Sequence, residues 1–264
     1  MSYCEFIEAV QSYQQKVKTI YPDGYRILDP NTFDINTYFG FFDRISVKRG
    51  FRIDALYYGS SADGSPYLCG LNAKQNIDYA YELISNNNKR NRETEQEGLE
   101  TLLTDSNKSE EDKEIDYTKL LFEFIRETNI KQFIVPEDSD YGFFQYLFLL
   151  EMGNQFALFW HSYYNRKYIF YSIEPVEELV NRINKSGVYI IQDDDLQRLK
   201  QSSLVPDIIK KTDFYQITWF EYRQFKSIYK CVYEIERKEP FDIILVSSVE
   251  VLPFKTGSIK IIGL

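Results

Sequence analysis

The sequence predicts an α+β fold, in which an antiparallel sheet of aromatic-rich hairpins is flanked by amphipathic helices. Strand-like runs follow one another as hairpins and are interrupted by helices, whereas a parallel sheet would need a regular alternation of the two. The 264-residue chain also contains 22 Tyr and 20 Phe, so it is rich in contact surface. The order helix, aromatic hairpin, helix recurs on both sides of a polar segment, which suggests two similar halves.

The N-terminal α+β part spans residues 1–85. It begins with an amphipathic helix whose apolar residues fall on one face: Tyr3, Phe6, Ile7, Val10, Tyr13 and Val17. Alternation then predicts strands at 39–47 and 51–57, which we expect to pair as a hairpin with its tip at 48–50. A short strand at 67–69 and a short helix at 77–84 complete this part.

Residues 86–115 differ sharply in composition from both flanks. They are polar and charged apart from Leu99, Leu102 and Leu103, so they cannot bury enough surface to offset their ordering entropy. We expect a flexible acidic linker or loop here and place the domain boundary in it, with the alternative that both parts pack as one domain.

The C-terminal α+β part spans residues 116–264. A clear helical face at 117–125 predicts its first helix. A second, apolar helix is expected to start at Asp138, Ser139 or Asp140, which are all suitable N-caps, and to end at Gly153.

The remaining C-terminal elements begin with an apparent hairpin. Segments 155–162 and 167–172 are apolar on both faces, which predicts a pair in the middle of a sheet. A helix from Pro175 to Gly187 and a shorter helix after Asp193 follow, and the chain from Phe214 onward is rich in strands.

Charge and cysteine content indicate where the protein works and what it binds. The formal net charge of −9 argues against nucleic acid, because phosphate contacts need clustered Lys and Arg. Such a field would speed association with a basic partner, and it also keeps an aromatic-rich chain soluble. The three cysteines lie far apart without a CxxC pair, as in a reducing compartment. With no secretory signal or membrane-spanning run, we expect a soluble cytoplasmic protein that does not enter a membrane.

Few residues are suited to catalysis. A Cys–His–Asp triad would have to use His161, which is the one histidine, with Cys69 or Cys231. Neither cysteine lies in a Gly-rich turn or at a plausible helix N-terminus that would lower its pKa. We therefore expect His161 to be a structural residue inside a packed sheet. Phosphate-binding loops, nucleophile elbows and zinc-ligand spacings are lacking, so the prediction includes no cofactor and no metal.

The Asp193–Asp195 run has two interpretations. Its carboxylates could bind a hard cation such as Mg²⁺. However, three successive residues project in different directions, and the run directly precedes an amphipathic segment. Helix capping and the helix dipole explain it better.

These observations favour a non-enzymatic binding protein whose acidic, Tyr-rich surface captures a basic protein. A bacterial immunity protein that neutralises a toxin has this character. The predicted contact residues are Asp138, Asp140, Tyr141, Asp193, Asp194 and Asp195. Two alternatives remain: an enzyme or small-ligand binder with a cleft beside Trp160 and His161, and a structural subunit that forms a homo-oligomer.

Overall fold

The computed structural model describes residues 1–21, 25–59, 63–101, 116–224 and 226–256. Within these ranges the chain forms seven α-helices and fourteen strands, and every strand pair is antiparallel, which confirms the α+β class. The helices are α1 (Tyr3–Lys16), α2 (Ile35–Phe39), α3 (Ile77–Thr101), α4 (Tyr117–Glu127), α5 (Asp140–Met152), α6 (Glu174–Ser186) and α7 (Asp193–Lys200). The strands are β1 (Thr19–Ile20), β2 (Ile27–Leu28), β3 (Ile45–Val47), β4 (Phe51–Gly59), β5 (Asp63–Asn72), β6 (Ile134–Pro136), β7 (Phe159–Trp160), β8 (Lys167–Phe170), β9 (Tyr189–Ile190), β10 (Asp207–Lys210), β11 (Phe214–Arg223), β12 (Ser227–Glu236), β13 (Ile243–Pro253) and β14 (Lys255–Thr256).

The largest sheet contains β8, β10, β11, β12 and β13. β11, β12 and β13 form a meander, while β10 and β8 pair with the first and last parts of β11. Successive residues of a strand point to opposite faces, and here each face has its own core. Tyr215, Ile217 and Trp219 belong to one core, whereas Phe220 and Tyr222 belong to the other.

The first face, which we call the closed face, packs against α5 and α1. Ser139 caps α5 by accepting a hydrogen bond from the Gly142 N–H at 3.0 Å, as predicted. Nine of the thirteen residues of α5 are buried and only Asp140 is exposed, which fits a helix that is apolar on most of its surface. Phe143 stacks on Tyr215 of the sheet with ring centroids 4.2 Å apart. This face is therefore filled by aromatic packing.

The second face, which we call the outer face, is covered over only part of its area. Apolar residues of α6 and α7, including Val176, Leu179 and Leu199, pack on Phe220 and its neighbours. α6 begins with a proline in its first turn and ends at Gly187, whose φ of +70° suits glycine. This cluster includes no residue from the start of β11, so that part of the outer face lies beyond these helices.

The N-terminal part contributes its own sheet and a third core. β4 and β5 pair along their whole length, and β7 extends this sheet from the other side of β5. α3 and α4 pack on it through a cluster that includes Leu56, Cys69, Leu83 and Leu121. The Asp116 cap of α4 agrees with the predicted helix start.

Both predicted aromatic hairpins are wrong in their pairing. β3 pairs with β6 and β4 with β5, and Phe39 closes a helix instead of opening a strand. The clearest apparent hairpin is also absent, because β7 pairs with β5 whereas β8 pairs with β11. A 3-10 helix, His161–Asn165, separates them. Because the second hairpin does not form, the predicted likeness between the two halves loses its basis.

The segment predicted as a linker is partly helical. α3 does not end near residue 84 but continues to Thr101, while 102–115 lie outside the described residues. The first core combines residues from both predicted parts, such as Phe6 and Trp219. The division of the chain into domains stays a prediction. No helix in the described ranges is long and apolar enough to cross a membrane.

Candidate functional site

Asp138, one of the predicted contact residues, is held by partners within the molecule. Both carboxylate oxygens accept hydrogen bonds from Arg237, at 2.6 Å and 3.1 Å. Lys210 and the Tyr215 hydroxyl also donate to it, at 3.3 Å and 3.1 Å. These donors, Arg237 first, lower the pKa of Asp138 to about 2. Asp138 thus links the segment before α5 to the central sheet.

Asp140 and Tyr141 follow in the first turn of α5. Asp140 is exposed and lies where the helix dipole favours a negative charge. Tyr141 is half-buried and packs against Tyr3 of α1, with ring centroids 5.3 Å apart. Burial raises the pKa of Tyr141 to about 12. Of this pair, only Asp140 is freely exposed.

The Asp193–Asp195 run forms the first turn of α7, where the helix dipole favours negative charge as predicted, but the predicted capping role is wrong: Gln192 is the N-cap and no described side chain caps the helix. Asp193 and Asp194 are exposed, whereas Asp195 is buried and forms a salt bridge with Arg198. Asp195 also borders a groove of about 1010 Å³ between α7 and the outer face.

The predicted contact residues do not gather into one surface. Asp138, Asp140 and Tyr141 precede or begin α5, which packs on the closed face of the sheet. The three aspartates of α7 belong to the helix layer on the outer face. The sheet separates the two groups because its opposite faces carry them.

The predicted structural role of His161 inside a sheet is wrong. His161 is exposed in the 3-10 helix, where its ring lies 4.7 Å from that of Trp160. Trp160 is 54% exposed and has a φ of +43°, a conformation that costs a non-glycine residue energy. Neither residue lines the cavity of about 700 Å³ that includes the neighbouring Tyr163 in its wall.

The two buried cysteines, Cys69 and Cys231, are protonated thiols and not reactive thiolates. Burial raises the pKa of Cys69 to about 12 and that of Cys231 to about 11, so both remain protonated near neutral pH. Their environments do not activate a nucleophile. Across the described ranges, no group of three or more His, Cys, Asp or Glu side chains could hold a metal ion.

The outer edge of the large sheet exposes apolar side chains. β13 is an edge strand of this sheet: one side pairs with β12, and no strand among the described residues pairs with the other side. Ile244 and Val249 are 57% and 55% exposed. They stand opposite Glu234 and Lys230 of β12, so they lie on the outer face. We call the uncovered outer surface around Ile244 and Val249 the open face.

An acidic groove borders the open face. It crosses β11, β12 and the start of β13 and has a volume of about 290 Å³. Its lining consists of Asp213, Phe214, Glu234, Glu236, Lys238, Asp242 and Ile244. Asp242 forms a salt bridge with Lys131 at 2.7 Å. Because Lys238 is the only cation in this lining, the groove keeps an excess of negative charge.

A third concave feature, the aromatic cavity, lies between α1, β8 and α6. It has a volume of about 700 Å³, within the usual range for small-molecule sites. Aromatic side chains form much of its wall: Tyr163, Tyr168, Phe170, Tyr171, Tyr189, Tyr222 and Phe254. Gln11 of α1 and Arg182 of α6 contribute polar groups. Tyr163 in its wall lies two residues after His161, so the cavity is near the position of the cleft expected beside His161 but does not include that residue.

Sequence reasoning missed both the open face and the aromatic cavity. The apolar run Ile243–Val246 was a usable signal, because consecutive apolar residues in the last strand of a meander leave some of them uncovered. The cavity had a weaker signal, the tyrosines at 163–171, but its wall comes from distant segments. Comparisons with known proteins add no relative: no family model, curated protein or solved structure matches the chain.

Proposed function

We propose that the protein is a binding module that captures a basic protein through the open face and the acidic groove. The observation that carries this proposal is the exposed apolar pair Ile244 and Val249 beside a groove with excess negative charge. Exposed apolar groups rimmed by charge are typical of protein-binding surfaces. The partner would place apolar side chains on Ile244 and Val249 and Lys or Arg in the groove.

Side chains, more than backbone pairing, would carry this contact. The register between β12 and β13 shifts twice, at Val232/Tyr233 and at Ile228/Tyr229. Such bulges interrupt the free backbone groups of an edge strand and discourage the addition of a further strand. The partner segment therefore lies across the outer face and does not extend the sheet.

The charge of the chain favours a basic partner over a second copy of itself. Two copies with a net charge of −9 each would repel, and pairing through the open face would bring their acidic grooves together. A basic partner would instead be attracted from a distance and captured quickly. The neutralisation of a basic toxin is the particular case that the composition suggested.

The test is capture of a partner from native lysate by the tagged protein at low and at moderate salt. Ile244→Lys is the site variant, and Phe122→Lys is its matched control. Both side chains are more than half exposed, at 57% and 56%, and both changes add one positive charge. We expect a stoichiometric basic protein that binds the wild type and the control and is weakened at least tenfold by Ile244→Lys.

Three outcomes would contradict the proposal. If no protein is retained at either salt, the binding function itself fails. If Ile244→Lys retains the partner as well as Phe122→Lys does, the open face is not the binding surface. A dimer that light scattering detects in the wild type and not in Ile244→Lys would instead identify a second copy as the occupant.

A further inference from the structure

We propose that the aromatic cavity is a binding site for a flat aromatic carboxylate, with Arg182 binding the carboxylate at the rim. This site is separate from the open face, and nothing in the protein-binding proposal requires it. The inference rests on the shape and lining of the cavity, on the unpartnered Gln11 donor, and on Arg182, which forms no salt bridge with a described residue.

The lining suits a flat, apolar ring. The rings of Tyr168 and Tyr222 stack at a centroid distance of 6.2 Å and an interplanar angle of 18°, so they present parallel surfaces. Phe170 and Leu179 add apolar surface from β8 and α6. Aromatic rings prefer stacked or edge-to-face partners, and a planar ligand offers both. At about 700 Å³ the cavity has room for two or three fused rings with their substituents.

Two polar groups of the cavity can donate hydrogen bonds to a ligand. The Gln11 side-chain Nε2 is sealed from solvent and has no hydrogen-bond partner in the described part of the chain. A buried donor without an acceptor is costly; because Gln11 also lines the cavity, a turn of its terminal amide would bring this donor to an incoming oxygen. Arg182 is exposed, lines the cavity, and forms no salt bridge with any described residue. A guanidinium in this position can bind a carboxylate through two parallel hydrogen bonds.

Because Glu178 and Arg182 both line the cavity, the sign of the ligand charge must follow from a third group. Glu178 lies one turn before Arg182 on α6 and is exposed. A cationic ligand would use Glu178 and the aromatic faces, whereas an anionic ligand would use Arg182 and be repelled by Glu178. The unsatisfied Gln11 donor favours the anion, since a cation offers it no acceptor.

Three probes of the same size measure the site directly. 2-Naphthoate, 2-naphthamide and 2-naphthylmethylammonium would be titrated into the full chain and followed by calorimetry. We expect saturable one-to-one binding of the naphthoate, about tenfold weaker binding of the amide, and the weakest binding of the cation. The inference is overturned if none of the three binds, if the amide equals the naphthoate, or if the cation binds most tightly.

Variants on α6 assign the effect to the rim. Arg182→Gln should weaken the naphthoate about tenfold and leave the amide within twofold. The matched control is Lys185→Gln, which removes the same charge from an exposed residue of the same helix outside the cavity lining. Glu178→Gln should tighten the naphthoate, because it removes a repulsive charge. Equal losses in Arg182→Gln and Lys185→Gln, or a weaker naphthoate in Glu178→Gln, would refute the assignment.

Discussion

The two faces of the central sheet are built from the same strands but have opposite character. On the closed face, Tyr215, Ile217 and Trp219 of β11 are fully buried under α5. On the outer face, α6 and α7 cover Phe220 and Tyr222, but Ile244 at the edge stays exposed. Stability and binding are therefore separated across one sheet, with packing on one side and accessible surface on the other.

A buried charged group shows how completely the closed face is filled. Glu221 is fully buried, and its carboxylate accepts hydrogen bonds from the Trp219 indole at 3.0 Å and from Arg223 at 2.7 Å. A charge in such a place is tolerated only with satisfied partners, so these contacts tie Glu221 to its neighbours. The acids of the acidic groove are more open to solvent, since Asp213, Glu236 and Asp242 are exposed. Substitutions on the two faces should differ accordingly.

The largest expected effect comes from truncating the buried tryptophan. Trp219→Ala should lower the free energy of unfolding by about 3–5 kcal/mol, because it opens a cavity under α5 and removes a donor to Glu221. Trp160→Ala is the control, since Trp160 is 54% exposed, and it should change stability by about 0.5 kcal/mol or less. Urea unfolding of both variants measures the difference. Similar losses in both would contradict the distinction between packed and exposed aromatic residues.

The elements that could be predicted from sequence depend on local signals. The Ser139 cap and the apolar run after it locate α5, and Gly187 marks the end of α6. The strands of the C-terminal meander follow from their alternation, and their short connections make them neighbours. These features could be recognised because the residues that determine them are adjacent in sequence.

Long-range pairing explains what could not be predicted. β8 is apolar and follows another apolar segment, yet it pairs with β11, about fifty residues further on. The apolar side chains of a strand do not specify which other strand it will pair with. The same limit applies to Asp138, whose partner Arg237 is 99 residues away in sequence. Because the sequence does not show this pairing, Asp138 was predicted to be an exposed contact residue.

An intermediate effect is expected where the closed face meets solvent, at Asp138. Its pKa is lowered to about 2 from an ordinary 3.8, so its contribution is complete above pH 3.8 and is lost as the pH falls toward 2. The carboxylate is more than half exposed, which limits the contribution to about 1 kcal/mol after solvent screening. Asp138→Asn should therefore destabilise the protein near neutral pH and converge with the wild type near pH 2. Unfolding curves between pH 2 and 6 measure this.

Salt provides an independent check on the same residue. The hydrogen bonds from Arg237 and Lys210 are charge-assisted and partly exposed, so about 1 M salt should reduce the difference between Asp138→Asn and the wild type. A difference that persists unchanged at acid pH and at high salt would mean that Asp138 acts through packing and not through its charge.

The smallest effect on stability is expected on the open face, at Ile244. Ile244→Lys should change the free energy of unfolding by about 0.5 kcal/mol or less, because an exposed edge position tolerates a charged side chain. The same substitution should weaken partner capture. Trp219→Ala should therefore have the larger effect on stability, and Ile244→Lys the larger effect on binding. Parallel unfolding and capture measurements on one preparation test this. A loss of 2 kcal/mol or more in Ile244→Lys would show that Ile244 is covered within the folded chain. Both faces of the sheet would then contribute to stability through packing, and the open face would not be an accessible binding surface.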